Sequence, residues 1–231
     1  MNGLKILFNR WFSHRIFMIV TLVFFAGMMT AVMIFHEAPG NYESNEADYL
    51  MCKVCALLPM ELGIMISSIL LAAEFAGSRF MRAIPAADKL FTLGLPVFGL
   101  IVSLGWGSIT NGVYAAYILF TGGDVCNISD MLLLTAPFAL FCTIIPAFTL
   151  SSRYGAVFGM LMYFPFLFLM LWVNSLPEKV RYEGFGLPVW GSALILAAAY
   201  LIGSAVAAVI SAVCYRKVNF RAAEYTQVLQ K

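Results

Sequence analysis

Residues 90–120 read LFTLGLPVFGLIVSLGWGSITNGVYAAYILF, thirty-one positions without one charged side chain. As a helix rising 1.5 Å per residue this stretch is about 45 Å long, more than the ~30 Å hydrocarbon core of a bilayer. Gly94, Gly99, Gly105, Gly107, Gly112, Pro96 and the polar pair Thr110-Asn111 interrupt its apolar character. Two geometries accommodate it: one tilted, protruding helix, or a helix broken near residues 105–112. Close packing on a neighbouring helix accounts for the glycines equally well.

Five more apolar stretches flank it, at 16–35, 54–76, 131–150, 155–173 and 188–215. Each meets or approaches the roughly 20 residues a membrane-crossing helix needs. Lipid supplies no partner for unpaired backbone groups, so apolar spans of this length are helical. The expectation is an all-α integral membrane protein with six transmembrane helices in a single domain, residues 1–231. Composition agrees: 62% of residues are hydrophobic and 11% charged, against about 25% charged in soluble domains. The first span is longer than the core of a cleaved signal, and Phe35-His36-Glu37 is a poor cleavage site.

Charge sets the expected orientation. With the N-terminus inside, eleven Lys and Arg fall on the inner side: Lys5, Arg10, Arg15, Arg79, Arg82, Lys89, Arg153, Arg216, Lys217, Arg221 and Lys231. Three fall outside, Lys53, Lys179 and Arg181. This positive-inside bias puts both termini in the cytoplasm. The net charge of +2 carries no information about nucleic acid, and no nucleic-acid partner is expected.

Local patterns refine this outline. Residues 1–15 read as an interfacial helix, with Leu4, Leu7, Phe8, Trp11 and Phe12 on one face and Lys5, Asn9, Arg10 and Ser13 on the other. Glu61 is the one carboxylate well inside a span, either a pathway residue or a side chain reaching the outer interface. Asn111 and Tyr163 are further pathway or packing candidates. Cys142 and Cys214 lie in apolar runs, while Cys52, Cys55 and Cys126 are placed at the outer boundary; whether these pair is left open. Asn127-Ile128-Ser129 matches a glycosylation sequon. The tight turn at 151–154 makes spans four and five a hairpin. Gly155-x-x-x-Gly159 and Ala199-x-x-x-Gly203-x-x-x-Ala207 offer small-residue packing faces. The polar outer segment 174–187 is a candidate for re-entering the membrane. Residues 216–231 form a cytoplasmic tail.

No catalytic residues assemble. The two histidines, His14 and His36, fall on opposite sides of the membrane, and there is neither a metal-ligand set nor a phosphate loop. The distinctive inner segment is Glu74-Phe-Ala-Gly77-Ser-Arg79-Phe-Met-Arg82-Ala-Ile84-Pro85-Ala-Ala-Asp88-Lys89. Such a short surface element, with apolar and basic groups together, suits docking into a groove on another protein. The plain alternative is an ordinary positive-inside loop.

An interfacial helix, six spans and a Glu74…Gly77…Ile84-Pro85…Lys89 loop after span two resemble the membrane subunit of ABC-2 type (type V exporter) ATP-binding cassette permeases. The resemblance implies that residues 77–89 form a cytoplasmic coupling helix that docks on a separate ATPase. On that reading Glu74, Arg79, Arg82, Pro85, Asp88 and Lys89 are the coupling residues. It also implies a second permease chain, identical or paralogous, a bacterial plasma-membrane location, and ATP and Mg²⁺ on the partner ATPase with no cofactor in this chain. The transported substrate would be a peptide or hydrophobic compound. The competing readings are a membrane-embedded enzyme, and a channel or sensor without an ATPase.

Overall fold

A computed structural model describes residues 3–13, 16, 19–25, 27–28, 49–75, 87–151 and 164–217. Among these the regular structure is entirely helical. The helices are α1 (Gly3–Ser13), α2 (Tyr49–Phe75), α3 (Ala87–Thr121), α4 (Val125–Ser151), α5 (Phe164–Asn174), α6 (Glu178–Glu183) and α7 (Val189–Lys217). Among the described residues three segments are long and apolar enough to cross a membrane: Ala87–Thr121, Val125–Ala147 and Val189–Cys214. Their outward faces carry large exposed apolar side chains, including Ile101, Leu104, Leu194, Leu201 and Val209. Such faces suit contact with lipid tails, and the chain is a membrane-embedded helical protein. The 16–35 stretch is helical where described; its remainder, the 155–159 glycine motif and Tyr163 lie outside the described residues.

α4 is the hub, packing on α7, α3, α2 and α5. Its contact with α7 uses the small-residue face read from the sequence: Ala207 is fully buried. A Cβ on Gly203 would stand 3.1 Å from the Leu140 carbonyl oxygen and 3.2 Å from Thr143 Cβ. This face is therefore consumed within the chain and cannot serve as a dimer surface. On α3, Gly99 likewise faces α4, 3.0 Å from the Thr143 carbonyl oxygen at its notional Cβ.

α3 does not break at residues 105–112; it runs unbroken to Thr121. Its irregularity is a π-turn at Leu90–Gly94, where the Leu95 N–H donates to the Leu90 carbonyl. The cause is Pro96, which brings no N–H and crowds the preceding turn. The carbonyl of Phe91, left without an N–H from Pro96, accepts the Ser211 hydroxyl of α7 instead. Three residues join α3 to α4. Gly122 takes a left-handed conformation at φ 71° to end α3, and Asp124 Oδ1 accepts the Cys126 N–H at 3.0 Å to cap α4.

Several boundaries differ from the hydropathy reading. α2 begins at Tyr49 and α4 at Val125, five and six residues before the apolar runs do. Lys53, assigned to an outer loop, is instead fully buried in α2. The sequon lies within the first turns of α4, with Ser129 buried, and not in a loop. The outer segment beyond α5 holds the short exposed helix α6, followed by extended residues 184–188 with Gly184 at φ 83° and Gly186 at φ 66°. α1 is amphipathic as expected, but part of its apolar face meets protein. Leu7 is fully buried, and the Phe8 and Trp11 rings stand 5.3 and 5.9 Å from that of Phe98.

Candidate functional site

The interior of this bundle is unusually polar along the line where α2, α3 and α4 meet. Many of its hydroxyls are satisfied locally. Ser67, Ser68, Thr135 and Thr143 each donate to the carbonyl four residues earlier, at 2.7–2.8 Å. Such back-bonds let a polar residue sit in an apolar helix at little cost. The informative groups are those that reach other helices or reach nothing.

Glu61 is the clearest of the latter. Its side chain is 2% exposed, and among the described residues neither carboxylate oxygen has a hydrogen-bond partner of good geometry. The backbone amide of Phe166 on α5 is a nearby donor, and Cys142 on α4 is a neighbour. Of the two readings open for Glu61, pathway residue or side chain reaching the outer interface, its burial fits the first better. Removing a carboxylate from water without replacing its hydrogen bonds costs at least about 1–3 kcal/mol, more if it is charged. Pro59, also buried, stands two positions earlier and leaves the Cys55 carbonyl without its helical donor.

Lys53 lies eight residues before Glu61 on the same helix, about 12 Å along its axis. Its ammonium stands 5.8 Å from the ring centroid of the fully buried Tyr114 on α3, within cation–π range. One turn along α3, Asn111 donates to the Gly107 carbonyl at 2.9 Å and accepts from Thr135 of α4 at 3.1 Å. Asn111 is therefore a bridge between two helices. Trp106 reaches back to Ser67 on α2 at 3.4 Å and lies against Gly63 so closely that no side chain fits there. Tyr200 of α7 donates to the Ser103 carbonyl at 3.2 Å.

Asp130, which stands one position before the 131–150 apolar run, is 2% exposed in α4. It accepts the Phe185 N–H at 3.0 Å and lies directly against Gly184, whose positive φ brings the backbone in. One position earlier, Ser129 donates to the Leu187 carbonyl at 2.6 Å and pairs with Ser192 at 2.8 Å. The Phe185 ring stacks on Trp172 of α5. Residues 184–188 are thus strapped from three sides onto the end of the bundle where α4 and α7 begin. Hydropathy hid Lys53 and Asp130 because each sits just outside an apolar run. The paired glycines at 184 and 186 were the one sequence signal for a backbone packed closely on another element.

Of the expected coupling residues, Arg79, Arg82 and Pro85 lie outside the described residues. Glu74 falls in the last turn of α2, and Asp88 and Lys89 are exposed in the first turn of α3. Cys55, Cys126, Cys142 and Cys214 are free thiols. Cys126 is exposed, Cys142 buried and Cys55 half-buried in α2. Among the described residues no cluster of three or more His, Cys, Asp or Glu is placed to hold a metal ion. No family model, curated protein or solved structure matches the chain.

Proposed function

We propose that this chain is the membrane-spanning permease subunit of an ABC-2 type exporter, with six spans, both termini cytoplasmic, and a separate ATPase that supplies the energy. The reading rests on the Glu74…Gly77…Ile84-Pro85…Lys89 pattern and the positive-inside charge count, and one structural observation supports it most. α3 carries exposed Asp88 and Lys89 at its start and half-buried Asn111 and buried Tyr114 in the polar seam. Those two points are twenty-three residues apart, about 35 Å along one helix. A push at the docking end thereby reaches the polar interior along one element, through the π-turn at Leu90–Gly94 and the unbroken helix beyond it.

In this mechanism the ATPase dimer closes on ATP and Mg²⁺ and shifts the 77–89 element. α3 moves against α2 and α4, and the contacts of Lys53, Glu61 and Asn111 are redistributed around a peptide or hydrophobic substrate. The seam suits such a switch because Glu61, among the described residues, is held only by the nearby Phe166 amide. A second permease chain completes the pathway, through a face other than the Ala199–Gly203–Ala207 stripe.

The test is the doubly substituted Arg82→Ala/Asp88→Ala chain, expressed with a candidate partner ATPase that co-purifies with the parent chain. Membrane insertion should persist, while ATPase co-purification or hydrolysis-coupled export falls. Charged contacts at such an interface are worth little at the rim and about 2–5 kcal/mol when buried, so Glu74→Ala and Pro85→Ala extend the series. Unchanged ATPase binding and export across the whole series would falsify the coupling assignment.

A further inference from the structure

The exposed surface of α3 and α7 is apolar over a defined length, and both ends of that length are aromatic. On α3, large apolar side chains stay exposed from Leu93 to Phe120, and on α7 from Leu194 to Val213. Neither stretch contains a charged residue. At the α1 end, Phe12 is 62% exposed, and the Trp11 ring stands 5.9 Å from that of Phe98. At the other end Phe120 is 90% exposed, Trp190 70% and Tyr182 of α6 50%. Contacts with the second turn of α4 tie these three to one level. Ser192, two positions beyond Trp190, pairs with Ser129. Gly184, two positions beyond Tyr182, lies against Asp130. Phe120 precedes the three-residue turn into α4. From Phe98 to Phe120 is twenty-two residues of one unbroken helix, about 33 Å. That is close to the ~30 Å thickness of a bilayer's hydrocarbon core.

We infer that α6 and Trp190 form a docking surface for the headgroup layer of one leaflet, while α1 takes the same position in the other. The Trp190 indole and Tyr182 phenol then lie where acyl chains meet headgroups, the boundary that suits rings with an apolar body and a polar tip. Glu178, Lys179 and Glu183, all exposed on α6, stay among the headgroups, because hydrocarbon offers a charge no partner. Residues 178–190 thereby rest on the membrane and do not re-enter it. The inference requires the bundle to lie in a bilayer. It requires neither transport nor an ATPase, so its failure would leave the exporter reading to its own test.

Single tryptophans measure the depth. Trp11→Phe/Trp106→Phe/Trp172→Phe leaves Trp190 alone. Adding Trp190→Phe and Leu201→Trp moves the indole to the middle of α7, at a side chain 69% exposed. Each chain is reconstituted in phosphatidylcholine vesicles whose acyl chains carry bromine either near the headgroup or near the methyl end. Trp190 should lose more fluorescence to the shallow bromines, and the tryptophan at 201 more to the deep ones. Equal or stronger deep quenching of Trp190 would place it in the hydrocarbon and overturn the docking surface. No quenching by either lipid would lift it clear of the membrane and overturn the surface as well. Shallow quenching at 201 would overturn the placement of both levels. Should these chains lose helical content by circular dichroism, nitroxides on Trp190→Cys and Leu201→Cys, in a chain lacking native cysteines, give the same comparison. Collisions with a water-soluble nickel chelate should dominate at 190 and collisions with oxygen at 201, and the reverse order would overturn the assignment.

Discussion

Glu61 is buried, and among the described residues its carboxylate has no hydrogen-bond partner of good geometry, only the Phe166 amide nearby, so its burial costs the fold more than it returns. Glu61→Leu is expected to raise the unfolding temperature, by an amount equivalent to about 1–3 kcal/mol, and to impair transport. A lowered unfolding temperature would show instead that the carboxyl is a structural bond. Nearby, Gly63→Ala would drive a methyl into the Trp106 ring and should destabilise by about 1–3 kcal/mol. The matched control is Gly112→Ala, where the same methyl meets open space. It should be neutral or stabilising by up to about 1 kcal/mol through helix propensity alone. Thermal unfolding of the pair in one detergent separates the two. At this scale the sequence was half legible. Glu61 stood out as the lone acid in an apolar run. Lys53 and Asp130 did not, because hydropathy marks where apolar side chains stop, whereas the helices continue further and bury what comes next.

At the scale of elements, the strap over residues 184–188 depends on a few polar contacts with α4. Asp130→Ala removes the acceptor for the Phe185 N–H and should make the 178–188 segment the first site of limited proteolysis. Ser129→Ala, which loses the bonds to Leu187 and Ser192, should act in the same direction. Protease resistance equal to the parent chain in both would mean that the Trp172–Phe185 stack suffices. The re-entrant reading of this segment came from its length and glycines. What positions it instead are a buried acid and a serine that no periodicity singled out. α3 teaches a similar lesson. Its glycines suggested a break at 105–112, yet Gly107 accommodates Tyr200 and Met60, and the backbone irregularity belongs to Pro96. A glycine signals close approach as readily as a kink, and only tertiary contact decides which.

For the whole molecule, orientation is the next quantity to measure. A cysteine at Glu183, in a chain lacking native cysteines, should react with an impermeant maleimide in intact cells. One at Lys89 should react only after permeabilisation. Both positions are exposed, whereas neighbouring Ala87 is 3% exposed and would be silent from either side. Labelling of Lys89→Cys from outside would invert the topology. With Lys53 buried, the outer basic residues reduce to Lys179 and Arg181, so the charge asymmetry behind this orientation grows. The membrane class and helical fold were legible because they depend on composition and run length, which lipid enforces directly. Three of the six expected spans stand out as long apolar helices. The identity of the protein's partners is written in loop surfaces, where a single sequence holds little physical constraint.

The π-turn in α3 also sets an angular phase. Each residue advances a helix by about 100°, and a turn closed five residues back instead of four holds one residue in excess. Asp88 and Lys89 therefore point about a quarter-revolution away from where an unbroken helix would aim them relative to Asn111 and Tyr114. Ser211, seated on the Phe91 carbonyl, works as a detent for that setting. Deleting Leu93, which is 63% exposed, removes the excess residue, so the helix should close up with the buried interior and the charged end both on their present bearings. Pro96→Ala, which lets the turn close without losing a residue, should instead swing the first turn round by about 100° and present it to any partner along the wrong bearing.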